Sequence, residues 1–527
     1  MPRTRGALAI TGAAFAVGPV AALVFLVRAG DPGSANWPVT WELRSSDNGV
    51  LFQLLQDVVA GQPLDWTFSP QVYVVPELPI SALAFALAGG NLYGYYLAVA
   101  VLNTVLLFLA LLMLARVLRP ADGIGSAIGR AALASTPLVV LPLIGTSWLV
   151  AYHLAPTYYI GMYLMVIVAP AVFLVRATWA RVVLGALVAL TAAANPLGLV
   201  FAFPAFVVVL LLLGMRRGFR TLARPAALAG AVLGLAIIVR LLLFGRLQGA
   251  SPLSYVDTEV FAGRLRALGP YFDYLAFDPA MRVILTLGAV LAVGCAAGAV
   301  VAAVRYLRGR GTAERMLVAV YLGLVPLAGL AGTYVLMITH YLYFWLVLIA
   351  PFAFALFAVP PRWAARVLPA AGAALVVTAL VTGAVPNLAQ PDRFFGYRSP
   401  ETRCLDDNLP PGTGLGYGTF SDGRRVGLTS LTPFRFIQIR PDGASTHEWL
   451  TNLAIPHTRG GTFFYLNAHG DEPAIDRDFV ESTFGTPDAE FDCGEGQTVL
   501  VYSDSRKLAA IAEYYRTARD PILGGER

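Results

Sequence analysis

Ser45-Ser46-Asp47-Asn48-Gly49-Val50-Leu51-Phe52-Gln53-Leu54-Leu55-Gln56-Asp57-Val58-Val59-Ala60-Gly61 follows directly on the first apolar stretch of the chain. Val50, Leu54 and Val58 recur at four-residue steps, as do Leu51, Leu55 and Val59, while Gln53, Gln56 and Asp57 fall elsewhere. That period predicts an amphipathic helix, with Ser46 as its cap and Gly61 as its stop. It falls short of the about 20 residues needed to cross a hydrocarbon core of roughly 30 Å. A helix of this kind lies in the membrane interface, so the sequence on either side is read as membrane-embedded.

The composition agrees. Of 527 residues, 57% are hydrophobic and 13% charged, against roughly 25% charged in soluble domains, and the mean hydropathy is +0.67. Apolar stretches near 7–28, 94–116, 127–149, 157–175, 181–194, 197–214, 225–244, 282–304, 315–336, 341–358 and 363–385 predict eleven spans. Arginines occupy alternate connections: Arg3 and Arg5, Arg116 to Arg130, Arg176 and Arg181, Arg216 to Arg224, Arg305 to Arg315, and Arg362 with Arg366. Positive residues in short loops stay cytoplasmic, which predicts an inside N-terminus and an outside C-terminus. The net charge of +6 is thereby accounted for by topology, with no nucleic-acid partner. Lys507 stands alone against many arginines in an Ala- and Gly-rich chain, the composition of a GC-rich bacterial genome, so the expected location is a bacterial cytoplasmic membrane.

The fold class expected is mainly α: a polytopic bundle over 1–385 with a large first outside loop, 29–93, followed by a soluble extracytoplasmic α/β domain over 386–527. Loops as long as the first are usually functional. Trp37, Trp41 and Trp66 read as interface anchors there, and Pro79 to Ala88 as a second, partly embedded helix. A polar segment, 245–281, reads as a lid or re-entrant element. In the C-terminal part, Gly414 to Phe420, Phe434 to Ile439, Thr462 to Leu466 and Thr498 to Tyr502 read as strands, and Asp476 to Phe484 and Ser505 to Ala518 as helices. Cys404 and Cys493 flank this part, and an even pair in an oxidising compartment predicts a disulfide.

Asp47 is the leading chemical candidate. A carboxylate at the water interface beside an apolar groove can take a proton from an acceptor hydroxyl, although the same residue is favoured at a helix N-terminus by the helix dipole. Glu77, between two prolines, reads as a second acid or as a plain helix-start charge. Asp57 reads as solvated. Arg240 near the end of the seventh span, His340 and Tyr341 at the start of the tenth, and His153 with its neighbouring tyrosines are candidates to hold a phosphate head group. Snorkelling or interface anchoring are the alternatives for each. P-loop, HExxH, Cys-x-x-Cys and nucleophile-elbow motifs are absent, and alternating Gly412, Gly414, Gly416 and Gly418 read as a turn and strand.

With Ser46-Asp47-Asn48-Gly49 after the first span, Leu54 to Pro63, Phe68-Ser69-Pro70, Pro76-Glu77-Leu78-Pro79 and Ala194-Asn195-Pro196-Leu197-Gly198, the chain resembles the GT-C type integral membrane glycosyltransferases. The resemblance covers most of 1–385 as architecture, with a short residue-level motif. It implies transfer of a sugar from a polyprenyl-phosphate donor to an extracytoplasmic acceptor, an envelope glycan or glycoprotein. It implies for Asp47 the role of base or metal contact, with magnesium or manganese as the metal. Many members carry two adjacent acids there, whereas Asn48 follows Asp47 in this chain. Two other classes stay open: a lipid or solute transporter or flippase, and a non-catalytic envelope assembly protein that docks through its outer domain.

Overall fold

The computed structural model describes residues 46–69, 71–144, 154–157, 160–244, 247, 279–336, 348–367, 370, 398–432, 434–454, 460–468, 473–494 and 496–518. Two short helices open it, α1 (Ser46–Val59) and α2 (Glu77–Leu87), followed by the bundle: α3 (Leu92–Leu118), α4 (Gly123–Ile144), α5 (Ile160–Leu174), α6 (Thr178–Ala194), α7 (Leu197–Arg217), α8 (Ala223–Val239), α9 (Pro279–Leu307), α10 (Ala313–Leu336) and α11 (Ala350–Phe357). Among the described residues, four stretches are long and apolar enough to cross a membrane: Leu92–Leu118, Leu197–Arg217, Phe219–Leu243 and Thr286–Leu307. Glu77–Leu87, Ile160–Leu174 and Thr178–Ala194 are shorter apolar helices. The expected first span, 7–28, lies outside the described residues, as do much of the tenth and eleventh, Trp37, Trp41 and nearly all of 245–281.

Helix α3 sets the scale of the bundle. Asn91 caps it, its Oδ1 accepting from the Gly94 N–H at 2.8 Å, which satisfies one of the orphan donors of a helix start. Its 27 residues rise about 40 Å at 1.5 Å each. At its N-terminal end the Tyr95 ring packs tilted against Phe52 of α1, centroids 5.1 Å apart, and its hydroxyl donates to Ser81 of α2 at 3.0 Å. At its other end a tight turn, Pro120–Asp122, leads into α4.

Residues 398–518 carry a mixed five-stranded sheet in the order β3-β2-β5-β7-β6: β2 (Leu415–Gly418), β3 (Arg435–Gln438), β5 (Thr462–Leu466), β6 (Ala489–Gly494) and β7 (Gln497–Tyr502). β2 runs parallel to β3 and β5, and β7 antiparallel to β5 and β6. Side chains alternate across a strand, so one face of the sheet presents Tyr417, Phe464, Leu500 and Tyr502 to α14 (Arg477–Phe484) and α15 (Ser505–Thr517). The other presents Phe436, Phe463, Val499 and Val501 to α12 (Pro400–Asn408) and α13 (Phe420–Thr429). The four strands and two helices expected from the sequence are present, Thr462–Leu466 with the expected ends and the others with shifted ones, whereas α12, α13 and β6 were not anticipated. Two of the alternating glycines serve this packing: a Cβ on Gly416 would stand 2.5 Å from the Phe463 ring and one on Gly418 2.7 Å from the Phe436 ring. Cys404 on α12 and Cys493 on β6 form the expected disulfide, with their Cα atoms 5.6 Å apart.

The first loop and this sheet unit are joined. Trp66–Thr67 (β1) pairs antiparallel with Thr451–Asn452 (β4), Trp66 opposite Asn452. Trp66 is therefore buried in the core, not placed as an interface anchor.

Candidate functional site

Helix α1 forms where the period places it, and Gly61, at φ +62°, ends it with the Gln62 N–H donating to the Asp57 carbonyl at 2.9 Å. Its surroundings differ from those of a helix lying in an interface. Val50 and Leu51 are buried in the bundle core, whereas Val58 and Val59 of the last turn are 52% and 75% exposed. The polar stripe Gly49, Gln53 and Asp57, spaced at i, i+4 and i+8, faces the C-terminal unit. An added Cβ on Gly49 would stand 2.2 Å from Leu428 Cδ1 and 2.9 Å from Arg424 Cδ. Gln53 Oε1 accepts from Arg424 Nε at 2.8 Å. Asp57 Oδ2 accepts from Asn452 Nδ2 at 2.8 Å and meets the Arg435 guanidinium at 3.5 Å. Asp57, expected to be solvated, is thus buried and paired across the junction; a polar stripe on a short helix reads the same in sequence whether water or a protein surface covers it.

Asp47 sits in the first turn of α1, where a negative charge is favoured by the unpaired N–H groups. It is half-buried, and its Oδ1 is shut off from solvent. Thr157 fixes this turn, its hydroxyl lying 3.1 Å from the Asp47 carbonyl and 3.0 Å from Asn48 Oδ1. Asn48 is fully buried, so the position where a second acid was looked for anchors α1 instead. Above the turn lies Arg424 of α13, 3% exposed. Burial pulls its pKa down to about 10, while the Asp47, Tyr96 and Asp57 charges act in the opposite direction.

Glu77 opens α2 and is 2% exposed. Its Oε1 accepts from the Gly161 N–H at 2.9 Å, satisfying an orphan donor in the first turn of α5. Desolvation raises its pKa to about 7 in spite of that bond. A side chain on Gly161 would run into the carboxylate at 2.7 Å. The structure therefore brings both predicted acids to one stretch of chain: Asp47 meets Thr157 and Glu77 meets Gly161.

Arg240 follows α8 and donates from Nη1 to the Ala193 carbonyl at 2.8 Å. This is one of the last carbonyls of α6, a position that attracts cations. The next carbonyl, that of Ala194, accepts from Val72 of the first loop at 3.0 Å, so Arg240 stands where the α6–α7 turn meets that loop. His153, His340 and Tyr341 lie outside the described residues. Sequence reasoning passed over Arg424, Arg435, Asn452 and Thr157. The one available signal was Gly423-Arg424-Arg425 inside an amphipathic stretch.

A metal contact at Asp47 needs further ligands. Among the described residues no group of three or more His, Cys, Asp or Glu gathers. Near Asp47 lie the Asn48 amide oxygen, which accepts from Thr157, and the buried Arg424 guanidinium; a divalent ion takes several oxygen ligands, of which Asp47 and Asn48 could supply part. Two cavities of about 190 and 200 Å³ are lined by Arg119, Asp122 and Glu314, and by Phe206, Arg217 and Leu317. The first lies at the far end of α3 from Asp47. Compared with known proteins, the chain matches no family model and no curated protein sequence.

Proposed function

We propose that this chain is a GT-C type glycosyltransferase of the bacterial cytoplasmic membrane, moving a sugar from a polyprenyl-phosphate donor to an envelope glycan or glycoprotein acceptor outside the membrane. One observation carries the reading: Asp47 combines partial exposure with a buried carboxylate oxygen, on a helix turn held from below by Thr157 and from above by the C-terminal unit. A base must reach its proton while its position is fixed by its surroundings. In this reading the acceptor hydroxyl gives its proton to Asp47 as its oxygen bonds to the anomeric carbon. The bond from that carbon to the donor phosphate breaks, and polyprenyl phosphate leaves as the anion. Glu77 supports the site by fixing the start of α5. Arg240, with His340, Tyr341 and His153, is assigned to the donor head group.

The finer topology belongs to the same proposal: eleven spans, an inside N-terminus and the sheet unit outside. The Cys404–Cys493 disulfide supports the outside placement, since such bonds persist in oxidising compartments.

The test supplies membranes containing the full chain with radiolabelled polyprenyl-phosphate pentoses and hexoses. Label is expected to pass to envelope glycan or protein from one of these donors, and Asp47→Asn is expected to lower that transfer at least 100-fold per folded molecule. Undiminished transfer in Asp47→Asn, or no transfer from any donor, overturns the reading.

A further inference from the structure

Among the described residues, Arg424 is the charged side chain of the C-terminal unit that reaches the first turns of α1, beside Leu428. Arg424 extends from α13 across the first two turns of α1, and everything along its length is made to fit. Gly49 leaves the space for its Cδ, although glycine is a poor residue inside a helix. Gln53, one turn further on, accepts from Nε at 2.8 Å. The Leu450 carbonyl, next to β4, accepts from the guanidinium end. A buried guanidinium is costly unless its donors are satisfied and an opposite charge is near. Asp47 is the foremost of the opposite charges that favour it. The partners therefore come from both units: Gln53 and Asp47 from the first loop, Leu450 from the C-terminal unit.

We propose that the C-terminal unit forms the second half of the Asp47 site, with Arg424 as the positioning residue that fixes the first turns of α1 and sets the charge beside Asp47. What Asp47 does in that turn rests on the transferase reading; that Arg424 holds the turn does not. The guanidinium is too deeply enclosed to meet an acceptor glycan, so its effect passes through Asp47. Undocking of the C-terminal unit would then disable the site without changing any residue that touches substrate.

The experiment uses the full chain in lipid nanodiscs and has two arms. In the first, hydrogen exchange is followed over 46–57 and over β2, β5 and β7. Arg424→Gln is expected to speed exchange at least tenfold in the first turns of α1 while the three strands keep their rates. Wild-type exchange in α1, or a uniform rise through the strands, overturns the positioning role. Gln53→Ala, a milder cut at the same contact, is expected to give a smaller rise in the same segment. No rise there overturns the proposal even if Arg424→Gln fails to fold. In the second arm, transfer from the labelled polyprenyl-phosphate sugars is measured. Arg424→Gln is expected to lower kcat at least tenfold with the donor KM within twofold, and Arg424→Lys to recover part of the loss. A rise in KM alone, or no rescue by lysine, overturns the charge-setting part. A wild-type chain that transfers nothing defeats the transferase reading, and the exchange arm still decides the role of Arg424.

Discussion

Each end of the molecule encloses a buried arginine, and the two are used differently. Arg130 of α4 is fully buried. It donates to the carbonyls of Ala355 and Leu356 at the end of α11, with 3.0 Å to Leu356, and it pairs with Asp122 Oδ2 at 3.0 Å and Ser126 at 3.2 Å. Two of these four partners are carbonyls at the end of α11 and the other two lie on α4 or in the turn before it, so Arg130 fastens one helix end to another. Arg424 is as deeply buried, yet the groups that favour its charge are Asp47, Tyr96 and Asp57, two of them carboxylates on α1. A guanidinium that joins two helix ends is a clamp, whereas one held between two units beside the candidate base also bears on the charge of that base.

That contrast is broken most directly at Arg130. Arg130→Met leaves Asp122 and two helix-end carbonyls without their donor, and removing one partner of a buried pair costs about 3–5 kcal/mol. The expected result is a large drop in melting temperature, while the molecules that remain folded keep hydrogen exchange in α1 and any transfer at wild-type rates. A selective loosening of α1 in Arg130→Met would erase the distinction between the two arginines.

Glu77 sharpens the comparison from the side of the acids. Its pKa is raised to about 7 in the fold, so between the unfolded value near 4.5 and 7 the native state holds the proton more firmly than the unfolded chain. Stability is then greatest at acidic pH, falls as pH rises through that window, and levels off above it, with a total change on the order of 3 kcal/mol. Glu77→Gln keeps an oxygen for the Gly161 N–H and carries no charge. Its melting temperature is expected to stay flat from pH 5 to 8 where that of the wild type declines. An equal decline in both would show that the carboxyl at the start of α5 is not the group that titrates.

How much of this was legible in the sequence follows from what each signal depends on. Helix α1, its stop at Gly61 and the strand Thr462–Leu466 rest on local pattern and chain geometry, which the sequence carries outright. The disulfide could be read because Cys404 and Cys493 flank the C-terminal part while the third cysteine, Cys295, lies in an apolar stretch, which narrows the pairing without knowledge of contacts. The destination of the polar stripe Gly49, Gln53 and Asp57 could not, because its partners Arg424, Arg435 and Asn452 lie more than 370 residues away. Glu77 was legible as an unusual acid between prolines, but its work as a cap depends on where α5 begins in space.

The junction itself offers the smallest of the expected effects. Asn452 donates to Asp57 Oδ2 at 2.8 Å and to the Pro63 carbonyl at 2.9 Å, and its Oδ1 accepts from the Asp65 N–H at 3.0 Å. It thus ties α1 and the turn after it to β4. Asn452→Ala leaves a buried carboxylate oxygen short of one donor, a loss of about 1–3 kcal/mol, while Arg435 still faces Asp57 from 3.5 Å. A double-mutant cycle with Asp57→Ala is expected to return a coupling of about 0.5–3 kcal/mol, the range for residues in one hydrogen-bond network. Additive losses would mean that the two side chains stabilise their own units separately. Arg424 and Leu428 on α1, and the two-residue strand pairing beyond it, would then carry a larger share of the docking.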